Sequence, residues 1–470
     1  MDFISFLQNH VAVPIWIIGA IALLSGIVAI YKNFSEICKI LKKIINLFIK
    51  FFSLRKRNRR KKYNEVVASE DYLTWQNNIL NNIYDPIITK FNENSTKLNC
   101  STCERAVCFP KTDNAYQYES VFFKVDENLY PYPFREISNK DDLTKCKISV
   151  KKFSHKKFIN YKPRTKEQKS FYKLMKPTIH FPDNIGYALD EISFENGFHF
   201  TAKACTYKMN VCTSNIMEYE LYELYLKEKK GKCPVKDKLK ELKTRNQIHK
   251  IFENNIERIF TSGAGRSSLL GVQAMVLCKN NYTGCYDVLR IRRSENVDAK
   301  SGFLQFVPSG GFSALNNNFD YDTQFAEFSV AKALLRELLE ECFGEEDFSG
   351  RKLNSTENIY SDKIIDKLIS NKGLIFKFIG SAFSLVSLRH ELCFLLVIED
   401  KELVNSIREN EECSSVIQFI SLNNLEKQSF WVYNVEDDKV NDCKLLNPTS
   451  AALWNLVQKT DIYQKLLNQE

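Results

Sequence analysis

The stretch that decides the fold of this chain covers residues 302–344 and reads GFLQFVPSGGFSALNNNFDYDTQFAEFSVAKALLRELLEECFG. Its apolar run over 303–307 predicts a β-strand, and Pro308-Ser309-Gly310-Gly311 predicts a tight turn directly after it. A polar insertion over 316–322 follows, and then a helix that carries one arginine and three glutamates. A strand, a glycine turn and an acidic helix in this order predict a site at the turn.

The three glutamates of the predicted helix share one face. Glu337, Glu340 and Glu341 are spaced at i, i+3 and i+4, and residues at that spacing project together. Like charges so placed repel one another, whereas a hard divalent cation such as Mg2+ favours carboxylate oxygens. Glycine has no Cβ, so the preceding turn can bring backbone close to this face. The pattern therefore indicates a metal and phosphate site.

These residues resemble the Nudix box, whose pattern is G-x5-E-x7-R-E-U-x-E-E-x-G-U. The resemblance implies hydrolysis of a nucleoside diphosphate linked to another moiety, with Mg2+ or Mn2+ as cofactor. It implies that Glu337, Glu340 and Glu341 bind the metal, and that Glu337 or Glu341 activates the attacking water. It also implies that Arg336 orients the glutamates and that Gly311 contributes backbone to the metal site. Glu341 is the preferred base, although spacing alone does not exclude Glu337.

The sequence departs from the Nudix pattern at three places. The gap from Gly311 to Glu327 is about ten residues longer than in the pattern. Glu327 then stands nine residues before Arg336 rather than eight, and one extra residue precedes Gly344. Two residues are candidates for a further carboxylate, namely Glu327 and Glu412 of the later acidic loop, and a solvated acidic loop is an equal alternative for the second.

The resemblance covers residues 265–470. Alternating apolar patterns predict strands over 269–277, 286–292, 303–307, 374–378 with 380–386, 391–398 and 415–420. A last helix is predicted over 448–467, capped by Thr449 or Ser450. This order fits the α/β/α sandwich with a mixed sheet that the resemblance implies. Arg290 and Arg292 share one strand face and are candidates for phosphate binding, whereas Arg293 is expected to face away.

Composition describes a chain of two or three domains that is basic only near its start. Its 470 residues carry a formal net charge of +9, and 44% of them are hydrophobic. Residues 32–62 hold 12 Lys and Arg and one acid, a net of +11, so the remainder is 9 − 11 = −2. A nearly neutral remainder argues against nucleic acid as a partner. The 14 cysteines are scattered, as is typical of reduced thiols.

The N-terminal residues 1–62 are predicted to attach the chain to a membrane. Residues 11–31 read VAVPIWIIGAIALLSGIVAIY without a charge, which is long enough for one transmembrane helix. The basic run over 55–62 predicts an external N-terminus and a cytoplasmic bulk, by the preference of positive charge for the inner side. Residues 34–54 are apolar but broken by lysines, and they predict an amphipathic helix at the lipid surface. A helix that packs on a partner subunit is the alternative, so an oligomer is compatible with the sequence.

The middle of the chain predicts a helical and polar region over 63–117 and an α+β module of unknown role over 118–250. Strands are expected at 120–125, 191–194 and 198–202, followed by a helix near 218–225 capped from residues 213–215. The pair Cys100 and Cys103 has metal-ligand spacing, but no second pair accompanies it, so free cysteines are the preferred interpretation.

The sequence therefore predicts an α+β protein with an N-terminal transmembrane helix, a middle module and a C-terminal Nudix-like sandwich. The first functional hypothesis is a membrane-anchored cytosolic hydrolase that cleaves a pyrophosphate bond in a nucleotide-type small molecule. The second is a catalytically weak nucleotide sensor that regulates the membrane segment or the middle module. Tight nucleotide binding without turnover would separate the sensor from the enzyme.

Overall fold

The structure is a computed structural model that describes residues 19–20, 22–27, 58–97, 102–108, 116–125, 162–175, 185–194, 198–231, 238–293, 302–314, 327–344, 374–410, 416–422, 425 and 446–467. Most of the span predicted over 11–31, the amphipathic segment 34–54, Cys100, Glu412 and the insertion 316–322 lie outside these residues. In the described part, none of the helices combines the length and the apolar character needed to cross a bilayer. Two compact units divide the chain, residues 1–61 and 62–470.

The described strands lie in residues 103–421. They are β1 Cys103–Cys108, β2 Tyr116–Lys124, β3 Ile185–Ser193, β4 His199–Thr206, β5 Gly271–Lys279, β6 Tyr286–Arg292, β7 Leu304–Phe306, β8 Ser309–Gly311, β9 Leu374–Ser384, β10 Arg389–Ile398 and β11 Gln418–Ser421.

The described helices of the larger unit flank and follow the strands. They are α1 Glu70–Lys97, α2 Lys166–Met175, α3 Tyr207–Asn210, α4 Ile216–Lys229, α5 Lys238–Glu241, α6 Lys243–Ile251, α7 Val330–Cys342, α8 Lys401–Glu409, α9 Pro448–Gln458 and α10 Asp461–Leu467. A π-helical turn at Val211–Asn215 joins α3 to α4, and Ile256–Ile259 forms a 3-10 turn.

Nine of the described strands form one large mixed sheet. Its order is β1-β2-β9-β10-β5-β6-β11, with β7 paired to β6 and β8 paired to β5. β10 and β5 are parallel, and the other described pairs of this sheet are antiparallel. The chain is therefore α+β with a large mixed sheet, as the sequence predicts at this level of detail.

The large sheet is covered by helices on both faces. On β5, Val272 and Val276 belong to the same hydrophobic cluster as Leu338 of α7. The intervening Met275 belongs to the cluster that contains Trp454 of α9. Successive strand residues point to opposite faces, so α7 and α9 pack on opposite sides of β5. This double cover explains why β5 reads as a continuous apolar run rather than an alternating one.

The predicted module over 118–250 is continuous with the domain predicted over 265–470. β2 pairs with β9 in the large sheet, with Phe122 opposite Ala382. The separate hairpin β3–β4 meets the same region, because Tyr187 N donates to Phe312 O at 3.0 Å and Leu270 N donates to Tyr187 O at 2.9 Å. Residues of both predicted domains therefore form one compact unit.

Two buried arginines join the middle region to the turn between β9 and β10. Arg245 is fully buried, and its Nη1 and Nη2 donate to Leu385 O at 2.7 Å and Val386 O at 2.6 Å. Arg266 Nε donates to Leu388 O at 2.9 Å. A buried guanidinium is costly unless its donors are satisfied, so these carbonyls fix both arginines and the turn.

Both predicted helix caps differ in the structure. Residues 213–215 lie inside a continuous helical stretch, and Thr206 caps it instead by accepting a hydrogen bond from Met209 N. Asn447 caps α9 by accepting from Thr449 N, because Pro448 occupies the first helical position, for which its fixed φ is suited. The last predicted helix is two helices, α9 and α10. Among the described cysteines, Cys103 is buried with a free thiol.

Candidate functional site

The glycine turn is fixed on the edge of β5. Gly271 and Gln273 of β5 pair with Gly311 and Ser309 of β8, and Ala274 N donates to Pro308 O at 2.9 Å. The Val307–Pro308 peptide is cis. These bonds hold the turn beside the helix that follows it in sequence.

Helix α7 begins where its sequence places a capping hydroxyl. Ser329 Oγ accepts a hydrogen bond from Lys332 N at 3.2 Å. Its apolar side is buried in the cluster beneath the sheet, with Leu335 and Leu339 each at most 2% exposed. The opposite side carries the glutamates, of which Glu337 and Glu340 have side chains 14% and 18% exposed. Burial of one side therefore turns the acidic side toward the glycine turn.

Gly310 makes room for Glu337. A Cβ built on Gly310 would lie 2.0 Å from Glu337 Cδ and 2.1 Å from its Oε2. Real Cβ atoms do not approach other atoms so closely, so any other residue would displace this carboxylate. Gly311 differs, because the nearest atom to its Cβ would be Leu269 Cδ2 at 3.7 Å. The requirement for glycine at the site therefore lies at Gly310, which the sequence analysis did not single out.

Arg336 holds the turn and the acidic face together. Only 5% of it is exposed, and its Nη2 donates to Glu337 Oε1 at 3.0 Å and to Gly311 O at 3.3 Å. Its Nη1 donates to Ser313 O at 3.1 Å, and Glu340 Oε1 lies 4.0 Å from its Nε. The planar fork of arginine suits several acceptors at once. The carbonyl of Gly311, expected at a metal, thus accepts from the arginine.

Glu341 lies against the backbone of the turn. Its Oε2 accepts a hydrogen bond from Ser309 N at 2.8 Å. Burial, with the negative charge of Glu337, raises the pKa of Glu341 from 4.5 to about 8, against the opposing effect of Ser309 and Arg293. Without a cation, the acidic face therefore keeps a proton near neutral pH. A positive charge placed there would favour the ionised carboxylate.

An aromatic wall from the β3–β4 hairpin closes one side of the site. Tyr187 packs on Phe312 and Phe328 with ring centroids 4.7 and 4.8 Å apart. Burial raises the pKa of Tyr187 well above its usual value, as does the charge of Glu327, whereas Arg336 opposes this. Glu327 therefore lies near Tyr187 and Arg336, on the side of the helix N-terminus. No local sequence pattern links Tyr187 to the glycine turn.

The strand arginines lie at different places relative to the glutamates. Arg290 Nε donates to Gln418 Oε1 at 2.9 Å, and Arg292 Nη1 donates to Gly302 O at 3.1 Å. Arg293, expected to face away, is the arginine of this segment whose charge acts on Glu341. β6 ends at Arg292, so the alternation of strand side chains does not extend to Arg293. Glu412 lies outside the described residues.

The donor types at this site suit Mg2+ or Mn2+. Glu337, Glu340 and Glu341 supply hard carboxylate oxygens, and Mg2+ is commonly held by one or two carboxylates together with waters and substrate phosphates. Within the described ranges, no group of three or more His, Cys, Asp or Glu side chains is arranged to hold a metal by itself. The residues present therefore fit a cation that shares its shell with a phosphate, rather than one enclosed by protein ligands.

Comparison with known proteins leaves the Nudix resemblance as a likeness of residues. No family model matches the chain, and no curated protein matches it.

Proposed function

We propose that this chain is a Nudix-type hydrolase that uses Mg2+ or Mn2+ to cleave a pyrophosphate bond in a nucleoside-diphosphate-linked substrate. The observation that carries the proposal is the contact of the acidic face of α7 with the glycine turn. Glu337 lies on Gly310, and Glu341 accepts from Ser309 N. The mixed sheet with α7 and α9 on opposite faces is also compatible with the sandwich that the resemblance implies.

Glu337, Glu340 and Glu341 would hold the cation, and Arg336 positions them. A bound divalent cation would polarise the phosphate oxygens and lower the pKa of a coordinated water. The arginine fixes the rotamer of Glu337 through one direct bond while its other donors bind the turn. Such preorganisation matters because a carboxylate held in place loses less freedom when the substrate binds.

Glu341 is the proposed general base. In hydrolysis, the oxygen of water bonds to one phosphorus, the bridging P–O bond breaks, and the departing phosphate keeps the bridging oxygen. Glu341 accepts the proton that the water releases. Its pKa of about 8 without a cation lies far above that of an ordinary carboxyl group, and a base with a pKa near the working pH is effective in proton transfer.

Turnover of a substrate panel tests this function. The purified chain is incubated with nucleotide sugars, dinucleoside polyphosphates and NAD-type dinucleotides, with and without Mg2+, and the products are separated by chromatography. We expect Mg2+-dependent formation of two phosphate-ended products from at least one class. Glu340→Gln/Glu341→Gln should abolish it, and activity that survives this double change would refute the assigned site.

A nucleotide sensor is the second candidate. It is favoured by one observation, that Arg336 already occupies the Gly311 carbonyl expected at a metal. Calorimetry with nucleoside diphosphates in Mg2+ separates the two functions, because a sensor binds tightly while the same sample shows no turnover.

We also propose that residues 1–62 hold the chain at a membrane, with the bulk of the chain on the cytoplasmic side. The support is the uncharged run over 11–31 and the basic residues that follow it. Alkaline extraction of membranes from cells that express the full chain tests this. Retention in the pellet is expected, and release into the supernatant would contradict it.

A further inference from the structure

Arg293 stands where β6 turns into β7, and its backbone is fixed on both sides. Arg293 N donates to Phe303 O at 2.8 Å, and Gly302 N donates to Arg293 O at 3.0 Å. This pair of bonds continues the register of β6 and β7, in which Arg292 lies opposite Leu304. The Cα position of Arg293 is therefore set by the sheet.

The side chain of Arg293 is held by one partner and keeps donors available. Its Nη1 donates to Gln305 Oε1. Gln305 is only 3% exposed and is itself fixed, because its Oε1 also accepts from Asn447 Nδ2 at 3.2 Å. The Nε of Arg293 is enclosed and meets no acceptor among the described residues. A buried donor without an acceptor is costly, so this Nε–H favours an incoming anion.

The guanidinium of Arg293 lies within electrostatic reach of the acidic face. Its charge favours the ionised form of Glu341, and the hydrogen bond from Ser309 N acts in the same direction. A phosphate between an arginine and cation-holding carboxylates would meet positive charge on both sides. Arginine presents several N–H groups in one plane, which matches the oxygens of a phosphate.

The two neighbouring arginines are less suited to this role. Arg290 is bonded to Gln418, and burial together with the charge of Arg292 lowers its pKa to about 10. Arg292 is bonded to the carbonyl of Gly302. Neither of them acts on Glu341 to a degree that shifts its pKa, whereas Arg293 does.

We propose that Arg293 is the residue that binds the diphosphate of the substrate, in place of Arg290 and Arg292. This inference rests on the proposed function, because it takes the ligand to be a nucleoside diphosphate. The guanidinium would donate to a non-bridging phosphate oxygen, with Gln305 holding its far side. The phosphate, rather than the base or sugar, would be the part of the substrate that it recognises.

Calorimetric titration of the full chain tests the assignment, with adenosine, AMP, ADP and α,β-methylene-ADP as probes in Mg2+. Arg293→Met keeps most of the side-chain volume and removes the charge, and Arg290→Met is the matched control. A hydrogen bond to a charged group contributes about 1.5–3 kcal/mol, which is roughly 10- to 100-fold in Kd. We expect Arg293→Met to weaken ADP and α,β-methylene-ADP by this factor and adenosine by less than about twofold. Arg290→Met should change all four by less than about threefold.

The outcomes separate this inference from the function beneath it. If wild type binds ADP and Arg293→Met binds it equally well, the assignment of Arg293 is refuted while the proposed function stands. If adenosine and ADP weaken together, Arg293 acts on the fold and the assignment is likewise refuted. If wild type binds none of the phosphate probes and turns over no pyrophosphate, the proposed function fails and the assignment fails with it. Unfolding curves of both variants show whether each remains folded.

Discussion

Gly310→Ala is expected to damage the site through a single methyl group. The new Cβ would lie 2.0 Å from Glu337 Cδ and within 2.3 Å of both carboxylate oxygens. The carboxylate would have to move, and its bond with Arg336 at 3.0 Å would be strained or lost. Overpacking of this kind costs about 1–3 kcal/mol. We expect the free energy of unfolding to fall by that amount and the metal-dependent activity to fall with it.

The neighbouring glycine supplies the control for this experiment. Gly311→Ala would bring its Cβ only to ordinary contact, 3.7 Å from Leu269 Cδ2, and should change stability by less than about 0.5 kcal/mol. Urea unfolding followed by tryptophan fluorescence measures both variants. In a Glu337→Ala background the clash partner is absent, so Gly310→Ala should cost at least about 1 kcal/mol less than in wild type. Equal effects of the two glycine changes, or no relief by Glu337→Ala, would refute the reasoning.

Three further predictions concern charge and packing. In metal-free buffer, stability should fall as pH rises from about 4.5 to 8, since folded Glu341 keeps its proton up to a pKa of about 8 while the unfolded chain releases it; urea unfolding across this range should show a flatter slope for Glu341→Gln, and an unchanged slope would contradict the assignment. Arg336→Met should cost about 3–5 kcal/mol, because it leaves Glu337 without its buried partner; Arg336→Lys should recover only part of this loss, and full recovery would show that the fork is not needed. Gly380→Ala should destabilise by more than about 1 kcal/mol in the same assay, because its φ is +148° and its Cβ would lie 2.1 Å from Phe123 O; a neutral change would contradict the junction of β2 with β9.

Local pattern carries much of the information about the C-terminal half. The strand, turn and helix of residues 303–342 follow from an apolar run, a Pro-Ser-Gly-Gly turn and helical spacing, and the structure has β7, β8 and α7 there. The predicted glutamates lie on the face opposite the buried leucines for the same reason. These are properties of neighbouring residues, so one sequence is enough to predict them.

Contacts between distant segments were not predictable in this way. β2 joins β9 across more than 200 residues, and no periodicity within either strand specifies that partner. The approach of Tyr187 to the glycine turn and the electrostatic reach of Arg293 to Glu341 depend on the same tertiary pairing. Gly310 was missed because the need for glycine arises from a side chain 27 residues later. Single-sequence reasoning therefore gave the acidic face but not the residues that surround it.

The most direct test of the account is the Mg2+ dependence of pyrophosphate cleavage by wild type and by Glu340→Gln/Glu341→Gln on the same substrate panel. The account predicts that wild type forms phosphate-ended products only when Mg2+ or Mn2+ is present, and that the double variant, still folded by its unfolding curve, forms none. Cleavage by the double variant at the wild-type rate, or wild-type cleavage that persists in chelator, would contradict the central claim that the acidic face of α7 holds the cation for hydrolysis.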